Sequence, residues 1–112
     1  MKKYEYIIKD KYIIYKENKN KIGIYRFLNK INGKSYVGSS TNLGIRLSIY
    51  FSKKGMSSIL KTKKSLIYDA LLKYGYNNFT LEILEYCKID ILIEREQYYI
   101  NHFKFLNLNI IF

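Results

Sequence analysis

Proline and tryptophan are absent, and cysteine and histidine occur once each, as Cys87 and His102. A single cysteine excludes a disulfide framework and a cysteine-based zinc site, and it favours a reducing compartment. No apolar run approaches the roughly 18 residues of a membrane-spanning helix. Acids are scarce: nine Asp plus Glu stand against 20 Lys plus Arg, a formal net charge of +11. So large a charge repels itself unless a polyanion takes it up. Without a membrane anchor, nucleic acid is the expected partner class. The first 21 residues, MKKYEYIIKDKYIIYKENKNK, carry Glu5, Asp10 and Glu17 and no long apolar stretch. They fit neither a secretory signal nor an Arg-rich transit peptide.

What is present suits one domain. The chain has 112 residues with 48% apolar content, enough for one modest core. Residues 1–21 read as an N-terminal extension, a loose strand or hairpin, ahead of a domain over 22–112. Ile22 to Leu28 is β-branched and aromatic, hence a strand, and Lys34 to Ser39 is its partner across Asn32-Gly33. A four-residue loop, Lys30 to Gly33, pairs Phe27 with Tyr36 and Tyr25 with Gly38. The two tyrosines then share a face as diagonal neighbours, roughly 7–8 Å apart, and Gly38 is expected to leave a gap above the sheet. Ser39 to Asn42 offers N-caps for a helix to about Phe51, with Arg46 and Tyr50 on one face. Ser65 caps a second helix that Gly75 stops. Phe79 to Tyr86 alternates as a strand, and a third helix runs from about Asp90 to Phe103. The expected class is α/β (α+β): a small antiparallel sheet of about three strands flanked by three helices, in the order β-β-α-α-β-α.

One residue breaks the pattern. In the third helix Leu92, Glu96, Tyr99 and Phe103 fall on one stripe, while Glu94 and Arg95 read as a solvated face. A carboxylate on an apolar stripe costs several kcal/mol unless it meets a cation. Glu96 is therefore either in a structural ion pair, with Arg46 or a lysine, or a metal ligand at the floor of a cleft. The remaining acids, such as Asp69, Glu82, Glu85 and Asp90, share no face. A two-metal site would need them clustered.

GIY at 23–25, YVG at 36–38, Arg46 on the following helix and Glu96 within EREQYYI resemble the GIY-YIG nuclease domain. The resemblance runs from about Lys21 to the C-terminus. KINGKSYVGSS, ALLKYGYNNFTLEILEYC and EREQYYI are most similar to the intron-encoded homing endonucleases of fungal mitochondria and related elements. The resemblance implies a metal-dependent DNA endonuclease that hydrolyses phosphodiester bonds with one divalent ion, Mg2+ or Mn2+. It implies Tyr25 as general base, Tyr36 positioning the water or assisting the proton transfer, Arg46 holding the scissile phosphate, Tyr50 supporting Arg46 or the nucleophile, Glu96 as metal ligand and Asn107 orienting it, with Asn109 the fallback. Lys53, Lys54, Lys61, Lys63 and Lys64 are expected to track DNA phosphates. Two features depart from the family pattern: the loop before the second helix has no histidine, and Phe105 stands where relatives carry proline. The expected partner is double-stranded DNA, with no membrane and no small-molecule cofactor, bound by a monomer whose one site nicks one strand at a time unless two copies meet on DNA. No DNA-reading segment follows the motifs, so a fragment, a shortened element or a stand-alone nicking module is expected.

Residue choice skewed towards Lys, Asn, Ile, Tyr and Phe is the palette of an AT-rich genome. That places the protein in a mitochondrion if it is organelle-encoded, and otherwise in the cytoplasm of a host bearing a phage or mobile element. Two rival readings remain. A catalytically silent DNA-binding domain on the same fold would have lost Tyr25, Arg46 or Glu96, and none is lost. A basic protein binding RNA or a membrane surface leaves Glu96 unexplained.

Overall fold

The computed structural model describes residues 2–52, 66–105 and 110–111. Alternating aromatic and β-branched residues build β2 (Gly23–Asn29) and β3 (Ser35–Ser40), with Tyr25 opposite Gly38 and Phe27 opposite Tyr36. The four-residue loop, Lys30 to Gly33, sets this register. The Gly33 amide donates to the Asn29 carbonyl at 2.8 Å, and Gly33 takes φ +75°, which favours glycine. Asn42 caps α2 (Leu43–Tyr50) by accepting from the Ile45 amide at 3.3 Å. A helix at Leu66–Tyr74, α3, ends where Gly75 adopts φ +87°. It buries Tyr68, Ala70 and Leu71 and leaves Leu66 exposed. Short 3-10 turns lead into β4 (Phe79–Tyr86) and α4 (Leu92–Phe105). The two-residue β5, Ile110–Ile111, follows.

The α+β class holds, and the N-terminus adds to it. In place of a loose strand or hairpin, Lys2–Tyr4 forms β1 and Lys11–Asn18 forms α1. The sheet order is β1-β4-β2-β3-β5, antiparallel except for β5 against β3. The described residues therefore hold four antiparallel strands, a short parallel edge strand and four helices. The N-terminal elements belong to the core because Tyr4, Ile7 and Ile14 are buried in it. Fully buried Asn18 ties them down. It donates to the Tyr4 hydroxyl at 3.2 Å and the Ile14 carbonyl at 2.8 Å, and accepts from the Tyr86 hydroxyl at 2.7 Å.

The sheet separates two cores. Tyr25, Phe27, Tyr36, Phe79, Leu81 and Ile83 face one side, with Leu47 and Tyr50 of α2 and Leu71 of α3. Ile24, Val37 and Leu84 face the other, under Leu92, Ile100 and Phe103 of α4.

Gly44 explains why α2 sits so close to α1. A Cβ there would lie 2.7 Å from the Lys19 backbone and 2.8 Å from the Tyr15 carbonyl. Alanine gains about 1 kcal/mol of helix propensity, but overpacking against fixed backbone costs about 1–3 kcal/mol. Gly44→Ala is expected to lower the urea midpoint, and a rise would show that α1 yields freely.

Candidate active site

Tyr25 is the centre of the site. It lies on β2 where the pairing with β4 shifts by one residue, Ile24 meeting Glu85 and Tyr25 meeting Ile83. Such a bulge re-aims the side chains beside it. The Tyr25 ring lies across Gly38: a Cβ at position 38 would be 2.5 Å from its hydroxyl oxygen and 2.6 Å from Cζ. The space expected above Gly38 is thus filled by Tyr25 itself. Glycine is needed at 38 to seat the phenol and leaves no open gap.

The Tyr25 and Tyr50 hydroxyls are 2.8 Å apart, one donating to the other. Phe27 packs edge-on to both rings, with centroids 5.9 and 5.2 Å away. The Arg46 guanidinium, one turn before Tyr50 on α2, stands 5.0 Å from the Tyr50 ring centroid. Burial pushes the Tyr25 pKa well above its usual 10, helped by Tyr50 and opposed by Arg46. For Arg46 burial lowers the pKa, but the Tyr50 and Tyr25 oxygens outweigh it and leave the guanidinium more firmly charged than usual. A cation is thus held against the two tyrosine hydroxyls.

Tyr36 shares the Tyr25 sheet face, and its ring packs 6.4 Å from that of Phe79. Burial and then Tyr74 raise its pKa. No hydrogen bond joins Tyr36 to Tyr25 among the described residues.

Glu96 sits on α4, on the other side of the sheet. It is half-buried, one turn from each of the buried Leu92 and Ile100, and among the described residues it makes no hydrogen bond or ion pair. The ion pair with Arg46 is therefore not formed. The other strand carboxylates are taken. Glu82 pairs with Arg26 at 2.7 Å, and Arg95 holds Glu85 through three contacts of 2.7–3.1 Å. Arg95, read as part of a solvated face, instead pins α4 to β4, and the Tyr99 hydroxyl adds a 2.9 Å donation to Glu85. Sequence spacing could not show this lock, because its partners lie ten or more residues apart. Asn107, Asn109 and Lys53, Lys54, Lys61, Lys63 and Lys64 lie outside the described residues.

The hydrogen bonds from Arg95 hold the Glu85 carboxyl below the usual carboxylate range. The native state thus binds that proton less readily than the unfolded chain. The lock contributes fully above the ordinary Glu value of about 4.3 and is lost as pH falls through the depressed native value. Urea midpoints measured between pH 6 and pH 3 should fall for the wild type. Glu85→Gln should start lower and fall less, and parallel curves would refute the lock.

The tyrosines of β2 and β3, Arg46 on α2 and Glu96 on α4 all lie within a span that matches a known family. The family model described as the GIY-YIG catalytic domain covers residues 21–109. The chain belongs to the GIY-YIG family. A Neurospora crassa protein described as a probable intron-encoded endonuclease is 33% identical over 97 residues. That match takes in 80% of this chain and 30% of the Neurospora protein, so the chain spans under a third of its relative's length. Among solved structures, the catalytic domain of the homing endonuclease I-TevI aligns with a TM-score of 0.57 at 31% identity, over 82% of this chain and 99% of that domain. A mutant of the I-TevI catalytic domain aligns with a TM-score of 0.56 at 32% identity, over 73% of this chain and 82% of that one. The GIY-YIG match begins at residue 21, so β1 and α1 precede it.

Proposed function

We propose that this GIY-YIG chain is the nuclease module of a homing-type DNA endonuclease, cutting phosphodiester bonds with one divalent ion, Mg2+ or Mn2+. The observation that carries the reading is the Arg46 guanidinium held against the paired Tyr25 and Tyr50 hydroxyls. A planar, permanently charged fork suits phosphate oxygens and offsets charge gained in the transition state.

The site residues come from both faces of the sheet, and β3 offers the passage between them. β5 pairs only with Ser35 and Tyr36, so on the side away from β2, Val37 to Ser40 form an edge with no strand partner among the described residues. The scissile phosphate would lie along that edge, beside the Tyr25–Gly38 pair. There the Tyr25 oxygen, in its deprotonated form, takes a proton from the attacking water as the water oxygen bonds to phosphorus, and the ester oxygen on the far side leaves with the bonding electron pair and is protonated from solvent. Tyr36 orients the water, and Tyr50 holds the Tyr25 hydroxyl and Arg46 in place.

The Glu96 carboxylate suits a cation, being half-buried and without a partner among the described residues. No three His, Cys, Asp or Glu side chains gather to hold a metal among the described residues. A single-carboxylate site agrees with magnesium, which keeps waters and takes its remaining ligands from phosphate. A bound ion would supply positive charge to the phosphate and the leaving oxygen. Asn107, with Asn109 as the fallback, is proposed to orient Glu96. The lysines from Lys53 to Lys64 are proposed to contact flanking phosphates. The Neurospora similarity supports a mobile-intron setting, mitochondrial if the gene is organelle-encoded.

Supercoiled plasmid incubated with the purified chain tests the reading. Nicked circles should appear before linear product with Mg2+ and be absent in EDTA, as one site per monomer requires. Plasmid retention without nicking in either buffer would favour a silent binding module.

A further inference from the structure

We propose that α1 is a second DNA-contacting surface, binding backbone phosphates beside the cleavage site. This rests on the nuclease reading for its substrate and on the N-terminal helix for its chemistry. At about 100° per residue, Lys11, Tyr15, Lys19, Tyr12 and Lys16 fall within one sector of about 140°. Asp10 and Glu17 lie outside it, and Ile14 and Asn18 point into the core. Three positive charges with no acid among them therefore share one face.

That face is open. Lys11, Lys16 and Lys19 are exposed, and none pairs with a carboxylate among the described residues. Tyr12 is 68% exposed, a high value for so large a ring. Lys16 Nζ stands 5.4 Å from the Tyr12 ring centroid, and Lys19 Nζ stands 6.0 Å from that of Tyr15. The rings thus order the ammonium groups without neutralising them. Lys11, Tyr12 and Tyr15 also border a groove of about 250 Å³ shared with Ser48 and Phe51 of α2.

Length and position fit duplex DNA. From Lys11 to Lys19 the helix rises about 12 Å, the axial span of three to four phosphates of one strand at about 3.4 Å each. α1 packs on α2 through Gly44, two residues before Arg46. Arg46 projects about 200° around α2 from Gly44, so a duplex held at Arg46 reaches α1 by passing over α2.

The test is binding of a 30-base-pair duplex in EDTA, where no cleavage occurs, across 50 to 200 mM salt. The variants are Lys11→Gln/Lys16→Gln/Lys19→Gln and, for the same charge change elsewhere, Lys30→Gln/Lys34→Gln/Lys88→Gln. Losing three phosphate contacts should flatten the log–log salt slope by about 2.7. Over that range wild-type affinity should then fall about 40-fold further than that of the α1 variant. The control variant should keep the wild-type slope. Equal slopes in all three proteins, or equal flattening in both variants, would overturn the proposal. So would unchanged duplex binding by the α1 variant together with lost binding to phosphatidylserine–phosphatidylcholine vesicles, which would assign the face to lipid. Because no cleavage is read, failure here is separate from failure to nick plasmid.

Discussion

Glu96→Gln is expected to lower Mg2+-supported plasmid nicking by about 100-fold or more, the scale on which a placed charge-stabilising group acts. The carboxylate has no protein partner to lose among the described residues, so the substitution should leave the fold alone. α4 keeps its hold through Arg95 on Glu85, and through Arg26, whose guanidinium lies 4.4 Å from the Phe103 ring centroid. The urea midpoint and duplex binding in EDTA should therefore match the wild type. Nicking within threefold of wild type would remove Glu96 from the metal site. A large drop in the urea midpoint would return it to a structural role.

Tyr25→Phe is expected to cost about 10²–10⁴-fold in single-turnover nicking, the range of a general base, with little change in duplex affinity. Gly38→Ala separates the position of this hydroxyl from its presence. The added methyl meets the Tyr25 oxygen and Cζ, so the phenol is intact but displaced, and most of the same loss should follow. Because burial holds the Tyr25 pKa above 10, the resting group is the neutral phenol and its basic form grows as pH rises. The wild-type rate should climb about tenfold per pH unit between pH 7 and 9, and the Tyr25→Phe rate should be flat. Parallel pH profiles would assign the proton transfer elsewhere.

The hairpin was legible in the sequence because its information is local. Asn32-Gly33 supplies the positive φ, and the apolar alternation allows one register once a four-residue loop is chosen. Asn42 and Gly75 marked helix ends for the same reason. The N-terminus was not legible. In α1 only Ile14 and Asn18 are buried while Tyr12 and Ile13 point outward, so helical periodicity is nearly absent. β1 carries two exposed lysines and one buried tyrosine, and its place depends on a pairing with β4 almost 80 residues on.

At the site, Glu96 stood out as an acid on an apolar stripe, but its surroundings did not. Which arginine meets which partner is decided by tertiary contacts: Arg95 takes Glu85, and Arg46 takes the tyrosines. The use of Gly38 was misjudged for a related reason. A missing Cβ marks close approach without saying what approaches, and here it is the Tyr25 ring.

The central claim is that Tyr25 and Glu96, from opposite faces of the sheet, serve one reaction. Single-turnover nicking rates for wild type, Tyr25→Phe, Glu96→Gln and the double variant test it most directly. Groups that act as a unit lose function non-additively, so the double variant should be no slower than the worse single one. Losses that multiply across the two positions would contradict the claim and divide the proposed site in two.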